Sequence, residues 1–459
     1  MPTISQEPVG TSATEPVSPT ASAESAPSEK TSTSPDSWHV LLATFLGGVF
    51  DGMDSSIFAM VLFPALSELL GTTSHAVVGV HGSYVIALFM VGWACGAIGF
   101  GVLADYIGRA RTMTLTILLY ALCTGLCATA HSWQELGLYR FLVGAGIGGE
   151  LGIGAVMLSE CWPNKSRVFA VGAMASSLGI GYMCTAGLNL WLGQYGWRWL
   201  FVAGIVPAFL TVYIRMKLKE SAHFVEMKEA KTAAMAKSES ERSDEEKAVL
   251  RFTMFELFEK ENLRKTIPVV CLTSTAIVCW WAVLAWVPAW INQMTGELAV
   301  QQRSTAMMFK EIGMILSGFL GGLMIAKMGY KKSMALSFLA AFICATGMFL
   351  TTKSFGPALI AWILFTGFFA HVPFVILWTY IPELFETRIR STAFGVCFNI
   401  GRFAAAVAAL ASGELIKVFG GSYALAASSI ASVYLLGVIA CKFMPHSDGR
   451  IFDREPVRD

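Results

Sequence analysis

The stretch Gly101-Val-Leu-Ala-Asp105-Tyr-Ile-Gly108-Arg109-Ala-Arg111, followed at once by the uncharged run Thr112–Ala130, sets the reading of this chain. The run is close to the ~20 residues a helix needs to cross hydrocarbon, and a cluster of arginines marks where it begins. Ser333–Thr352 and Gly420–Ala440 are likewise free of charge. A helix half-buried in a soluble protein would show a charged face along such a run, and these do not. Of 459 residues, 55% are hydrophobic and 14% charged, against about a quarter charged in soluble domains. The mean hydropathy is +0.59. The class is a polytopic membrane protein.

A net charge of +1 gives no broad field for nucleic acid. The ten cysteines are scattered, without metal-ligand or redox spacing, and read as small interior residues. No cofactor is expected.

Residues 1–37, rich in Ser, Thr, Pro and Glu, lack the basic start and apolar core of a signal peptide and read as a disordered cytosolic tail. Apolar spans follow at 39–66, 81–103, 112–130, 135–159, 168–193 and 197–217. A densely charged segment interrupts, and six more spans follow at 266–291, 304–326, 333–352, 357–380, 391–415 and 421–443. The expected division is a six-helix half over 38–217, a cytosolic loop over 218–265, a second half over 266–443 and a tail over 444–459. Arg109, Arg111, Lys165, Arg167, Lys327, Lys331, Lys332, Arg388 and Arg390 collect on one side, against Arg303, Lys353 and Lys417 on the other. The basic side faces the cytosol, so both termini are expected there, in a cell (plasma or inner) membrane.

The chain repeats itself. Glu160, Arg167 and Gly172 recur as Glu383, Arg390 and Gly395, an offset of 223. Gly101, Gly108 and Arg111 recur as Gly322, Gly329 and Lys332, an offset of 221. Two landmarks at nearly one distance point to a duplicated six-helix unit, a plan that places a transport site between the halves near mid-membrane.

These motifs resemble the major facilitator superfamily. Gly101–Arg111 is similar to its loop between helices two and three, and Tyr139-Arg140 through Gly144, Gly146, Gly148, Gly149 and Glu150 to its fourth-helix motif. Lys219-Glu220-Ser221 resembles the Pro-Glu-Ser motif, with the Pro replaced. Tyr380-Ile-Pro-Glu383 with Arg390, then Asn399-Ile-Gly-Arg402, resembles the organic-ion and metabolite:proton symporter branch. Phe50-Asp51-Gly52-Met53-Asp54 resembles the first-helix motif of its aromatic-acid:proton symporters. The resemblance implies an all-α fold of twelve transmembrane helices in two six-helix pseudo-repeats. Asp105, Arg109, Glu160, Arg167, Glu383 and Arg390 are then the expected gating residues. Asp105 would act as a latch against Arg109 and the eleventh helix. The second half lacks that latch, with Ala326 and Tyr330 at the matching positions.

Gly144–Gly149 also satisfies the dinucleotide fingerprint, but it lies inside an apolar span with no strand before it. Glycines so spaced let membrane helices approach closely. No Walker A sequence occurs, and no metal or nucleophile constellation suggests an enzyme.

An ionisable residue at mid-membrane costs ~2.5–3.5 kcal/mol, so each needs a reason. Asp51 and Asp54 lie halfway along the first span, three residues apart and so nearly on one face. Two such carboxylates repel, and one shared proton relieves them. With Glu150 they are the expected proton-coupling residues; a purely structural role is the alternative for each. The resemblance implies that a Lys in helix eight, Lys310, and an Arg in helix eleven, Arg402, bind an anionic substrate, with Asn399 one turn before Arg402. Lys310 and Glu311 are adjacent, hence ~100° apart, and are not expected to face one cavity together. An Arg402 paired permanently with a protein carboxylate is the alternative. His371 reads as an interior hydrogen-bonding residue more readily than a proton carrier. Trp280, Trp281, Trp286 and Trp290 crowd the seventh span, and Trp281 is taken as a wall of the site.

The expected function is proton-coupled symport of a small organic anion, a mono- or aromatic carboxylate, by a monomer in the bilayer working through alternating access. The alternatives are a polyspecific organic-ion carrier or exporter and, from another class, a transporter-like membrane sensor.

Overall fold

The computed structural model describes residues 35–162, 167–205, 256–296, 299–385 and 389–445. Among these there is no strand; the fold is helical throughout. The first six helices are α1 (Pro35–Leu70), α2 (His75–Ile107), α3 (Arg109–Ala128), α4 (Trp133–Cys161), α5 (Arg167–Leu192) and α6, described over 198–205. The last six are α7 (Lys260–Thr295), α8 (300–328), α9 (330–351), α10 (Pro357–Leu384), α11 (Arg390–Val418) and α12 (Tyr423–Phe443). A 3-10 turn at Leu284–Trp286 interrupts α7, just before Pro288 opens its last segment. Twelve helices in two sets of six agree with the expected fold. The Lys219–Ser221 motif and most of the central loop lie outside the described residues.

Two expected connections turn out not to be loops. The sequence placed breaks between 103 and 112 and between 326 and 333; the structure shows one residue at each. Gly108 (φ 106°, ψ 155°) alone separates α2 from α3, and Gly329 (φ 74°, ψ 166°) alone separates α8 from α9. Positive φ with extended ψ is nearly closed to residues with a Cβ, which explains why the repeat keeps glycine at both positions. Hydropathy finds only the part of a helix that lies in hydrocarbon, so it missed the polar turns that carry these helices beyond it.

The outer faces are apolar: Leu122, Phe319, Leu323, Val407 and Leu436 are all exposed. Water would not be faced by such belts, and lipid is. Inside, glycines bring backbones together. A Cβ at Gly92, Gly96, Gly144 or Gly148 would strike the backbone of Phe141, Ala145, Phe89 or Trp93, so α2 and α4 are in backbone contact. The Gly144–Gly149 glycines are thus packing residues, as their setting in an apolar span implied. Gly52 and Gly181 lock α1 to α5 in the same way.

Between the two sets of six, α2 packs along α11 and α5 along α8. These pairs are exchanged by a shift of six helices, the signature of a pseudo-twofold axis. The sets are bonded at the end that carries the α1–α2 turn. There Asn189 donates to Ser304 Oγ (2.6 Å), Tyr423 Oη donates to the His75 carbonyl (3.4 Å), and Gly79 and Gly413 pack on Ile416 and Ser83. At the end of the Gly108 and Gly329 bends, Gly99, Gly101, Gly318, Gly322 and Gly395 have nothing packed within 4 Å. No described hydrogen bond or ion pair joins the two sets there.

Candidate functional site

Three groups of polar side chains lie deep in the bundle. The first belongs to α1. Asp51 and Asp54 are 0% and 1% exposed. Asp54 Oδ1 accepts a hydrogen bond from Thr124 Oγ1 of α3 (2.8 Å), and its other oxygen is buried without a donor. Arg140 of α4, also buried, donates to the Asp54 main-chain carbonyl (3.1 Å) and stacks its guanidinium over Phe89 (4.3 Å). Arg140 and Glu150 are the charges that act on Asp54, and Gly204 of α6 leaves room for its carboxylate. Asp51 acts instead on Tyr182 of α5. The two aspartates share a helix but have different neighbours, because three residues turn a helix through ~300° and leave ~60° between them. Arg140 holds α1 to α4, in keeping with a packing role.

The second group centres on Lys310 of α8. Its Nζ lies 2.8 Å from Glu311 Oε1, 4.9 Å from the Trp280 ring centroid and 5.5 Å from that of Tyr182. The expectation that adjacent Lys310 and Glu311 cannot serve one site is corrected here. The four-carbon stem of lysine spans the ~100° between them and brings the charges together. His371 of α10 shares a 2.7 Å hydrogen bond with Ser317 Oγ and stacks on Phe374, which fits the interior role.

The third group surrounds Arg402 of α11. Its Nη1 donates to Asn399 Oδ1 (2.8 Å), and its guanidinium sits 4.7 Å from the Trp93 ring of α2. Trp281 of α7 packs against Trp93 (6.1 Å) and Phe89 (5.5 Å) and so backs this cluster. Among the described residues no carboxylate lies within ion-pair distance of Arg402. Trp280 and Trp281, neighbours on a helix and so ~100° apart, have different surroundings: one lies by Lys310, the other packs on Trp93 and Phe89.

Of the gating residues, the side chains of Asp105, Arg109, Glu160, Arg167 and Arg390 lie outside those described. Glu383 accepts a hydrogen bond from Tyr330 Oη (2.6 Å), so tyrosine bridges α9 to α10 at the position where the first repeat has arginine. Sequence reasoning did not single out Thr124, Tyr182 or Trp93, nor place Trp280 beside Lys310. A hydroxyl or ring in an apolar span carries no spacing signal; only the adjacency of two tryptophans hinted that more than one side of α7 is used.

A helical bundle built as two related halves, apolar on its outside and with charges buried within, defines a membrane transporter rather than an enzyme. The family model of the Major Facilitator Superfamily matches residues 44–409, and the chain belongs to that family. Among curated relatives, it is 29% identical over 421 residues to a putative metabolite transport protein of Haemophilus influenzae, covering 91% of this chain and 98% of the relative. It is 27% identical to the cis,cis-muconate transport protein of Acinetobacter baylyi, covering 89% of this chain and 94% of the relative. Among solved structures, the inward-open xylose transporter XylE of E. coli superposes with a TM-score of 0.68 at 16% identity, covering 90% of this chain and 98% of that one. That likeness concerns the fold.

Proposed function

We propose that the protein is a proton-coupled symporter for a small organic anion, a mono- or aromatic carboxylate, working as a monomer by alternating access. The observation that carries this reading is Arg402: a guanidinium deep in the bundle, set on an aromatic platform, oriented by Asn399 and without a carboxylate partner among the described residues. Such a fork suits a carboxylate in two-point contact. A relative named for cis,cis-muconate, a dicarboxylate, supports the sign of the charge.

The same arrangement supplies a reason for coupling. Closing the cavity strips water from Arg402 and from the Asp54 region, and an unpaired charge in an apolar interior is costly. A carboxylate on Arg402 and a proton on the Asp51, Asp54 and Glu150 group remove both costs together, so the loaded carrier closes readily. Among the described residues the two sets are bonded at the end of the α1–α2 turn and not at the end of the Gly108 bend, which supports a state open toward that bend. With both termini in the cytosol of a cell-membrane protein, that state faces inward. Asp105, Arg109, Glu160, Arg167 and Arg390, with Glu383, then serve as the gate at the cytosolic end.

The test is uptake into proteoliposomes under an imposed pH gradient, screened over labelled carboxylates and organic cations. Accumulation of a carboxylate when the outside is acid supports the reading. Accumulation of cations alone, or uptake indifferent to the gradient, refutes it.

A further inference from the structure

Among the described residues, Lys310–Glu311 is the one ion pair with both side chains buried, 7% and 1% exposed. Its geometry is unusual in a way that bears on transport. The partners are consecutive residues, so the pair holds no two helices together and does not serve as a brace. Glu311 also has little else to hold it. Its Oε1 is 2.8 Å from Lys310 Nζ, and among the described residues neither oxygen has another donor. A buried carboxylate in this condition depends on one cation. That cation in turn lies beside two rings contributed by different halves, Tyr182 of α5 and Trp280 of α7, which stack on each other (6.4 Å). The groups that face the pair are Tyr182 from α5, Asp51 of α1 acting through that tyrosine, Trp280 from α7, and His371 from α10 beside Trp280 (6.0 Å).

We propose that Glu311 is an internal stand-in for the substrate's carboxylate, seated on Lys310 in the empty carrier and protonated when a carboxylate displaces it. In that step the Lys310–Glu311 ion pair breaks and a Lys310–substrate ion pair forms. Glu311, left buried without its cation, takes one proton from the aqueous phase onto a carboxyl oxygen. One anion and one proton enter together, and the net charge of the site is unchanged. The inference rests on the reading of the protein as an organic-anion symporter. It adds a second proton-carrying residue, in the other half of the molecule from Asp54. Lys310 thereby becomes a cation that is always paired, with glutamate or with cargo.

The experiment uses the purified full-length protein with benzoate and cis,cis-muconate as probes. Calorimetry in two buffers of different ionisation enthalpy counts the protons bound with each carboxylate. In the wild type, affinity should weaken as pH rises, by up to tenfold per pH unit for each proton coupled to binding. Glu311→Gln should bind carboxylate at least as tightly, since its rival is gone, and take up one proton fewer. The double substitution Lys310→Gln with Glu311→Gln removes both charges and serves if the single variant does not fold. It should bind weakly and also lack that proton. A wild-type proton count in either variant overturns the proposal and leaves the anion reading standing. If neither probe binds the wild type, both are overturned for this class of substrate.

Discussion

Arg402→Ala tests the anion reading most directly, and the structure sets its size. Among the described residues the guanidinium has one hydrogen bond, to Asn399, and a ring contact with Trp93. No described carboxylate would be stranded by its removal. The cost should therefore fall on the complex, which loses a charge-assisted, two-point contact. Truncating one member of a buried charged pair costs about 2–5 kcal/mol. Arg402 is only part-buried here, and water lowers the value, so about 2–3 kcal/mol is the working figure. At 1.4 kcal/mol per tenfold this weakens binding by roughly 30- to 140-fold. Arg402→Lys should recover part of the loss, because an ammonium keeps the charge without the fork. The assay is equilibrium binding of a labelled carboxylate to purified, monodisperse protein whose unfolding temperature matches the wild type. Affinity within about threefold of wild type in Arg402→Ala would refute the assignment. So would a variant that cannot fold, since that is the mark of a structural arginine.

Three further outcomes follow from the arrangement. Asp54→Asn fixes a neutral side chain beside Thr124 and Arg140, so accumulation driven by a pH gradient should vanish while exchange of substrate for substrate survives; continued accumulation would remove Asp54 as a coupling residue. Gly96→Val drives a side chain into the Ala145 backbone and should cost about 1–3 kcal/mol or more, read as a lowered unfolding temperature. Gly99→Val, which meets nothing within 4 Å, is the matched control and should change far less. Single cysteines placed in the 218–265 loop should resist an impermeant thiol reagent applied to intact cells, and labelling from outside would reverse the proposed orientation.

The fold was legible because its causes are local. Uncharged runs of membrane-spanning length, arginines at their ends and glycines at a constant offset each leave a mark in the sequence that needs no neighbour to interpret. Of the candidate site, the sequence singles out the residues whose charge stands in an apolar run: Asp51, Asp54, Glu150, Lys310 and Arg402. It does not single out their partners. Thr124 matters because α3 brings it to Asp54, and Trp93 because α2 lies along α11; both facts belong to helix packing, which one chain's residue order does not state. The adjacency argument failed at Lys310 and Glu311 for a related reason. It treated side chains as rigid spokes, and lysine is a flexible one.

The single-glycine bends at Gly108 and Gly329 also separate what the repeat shares from what it does not. One copy has Asp105 and Arg109; the other has Ala326 and Tyr330, yet its bend is intact. Shape and chemistry thus part company within one motif. In the second copy the tyrosine's hydrogen bond to Glu383 fastens the same frame by a neutral hydroxyl instead of an arginine.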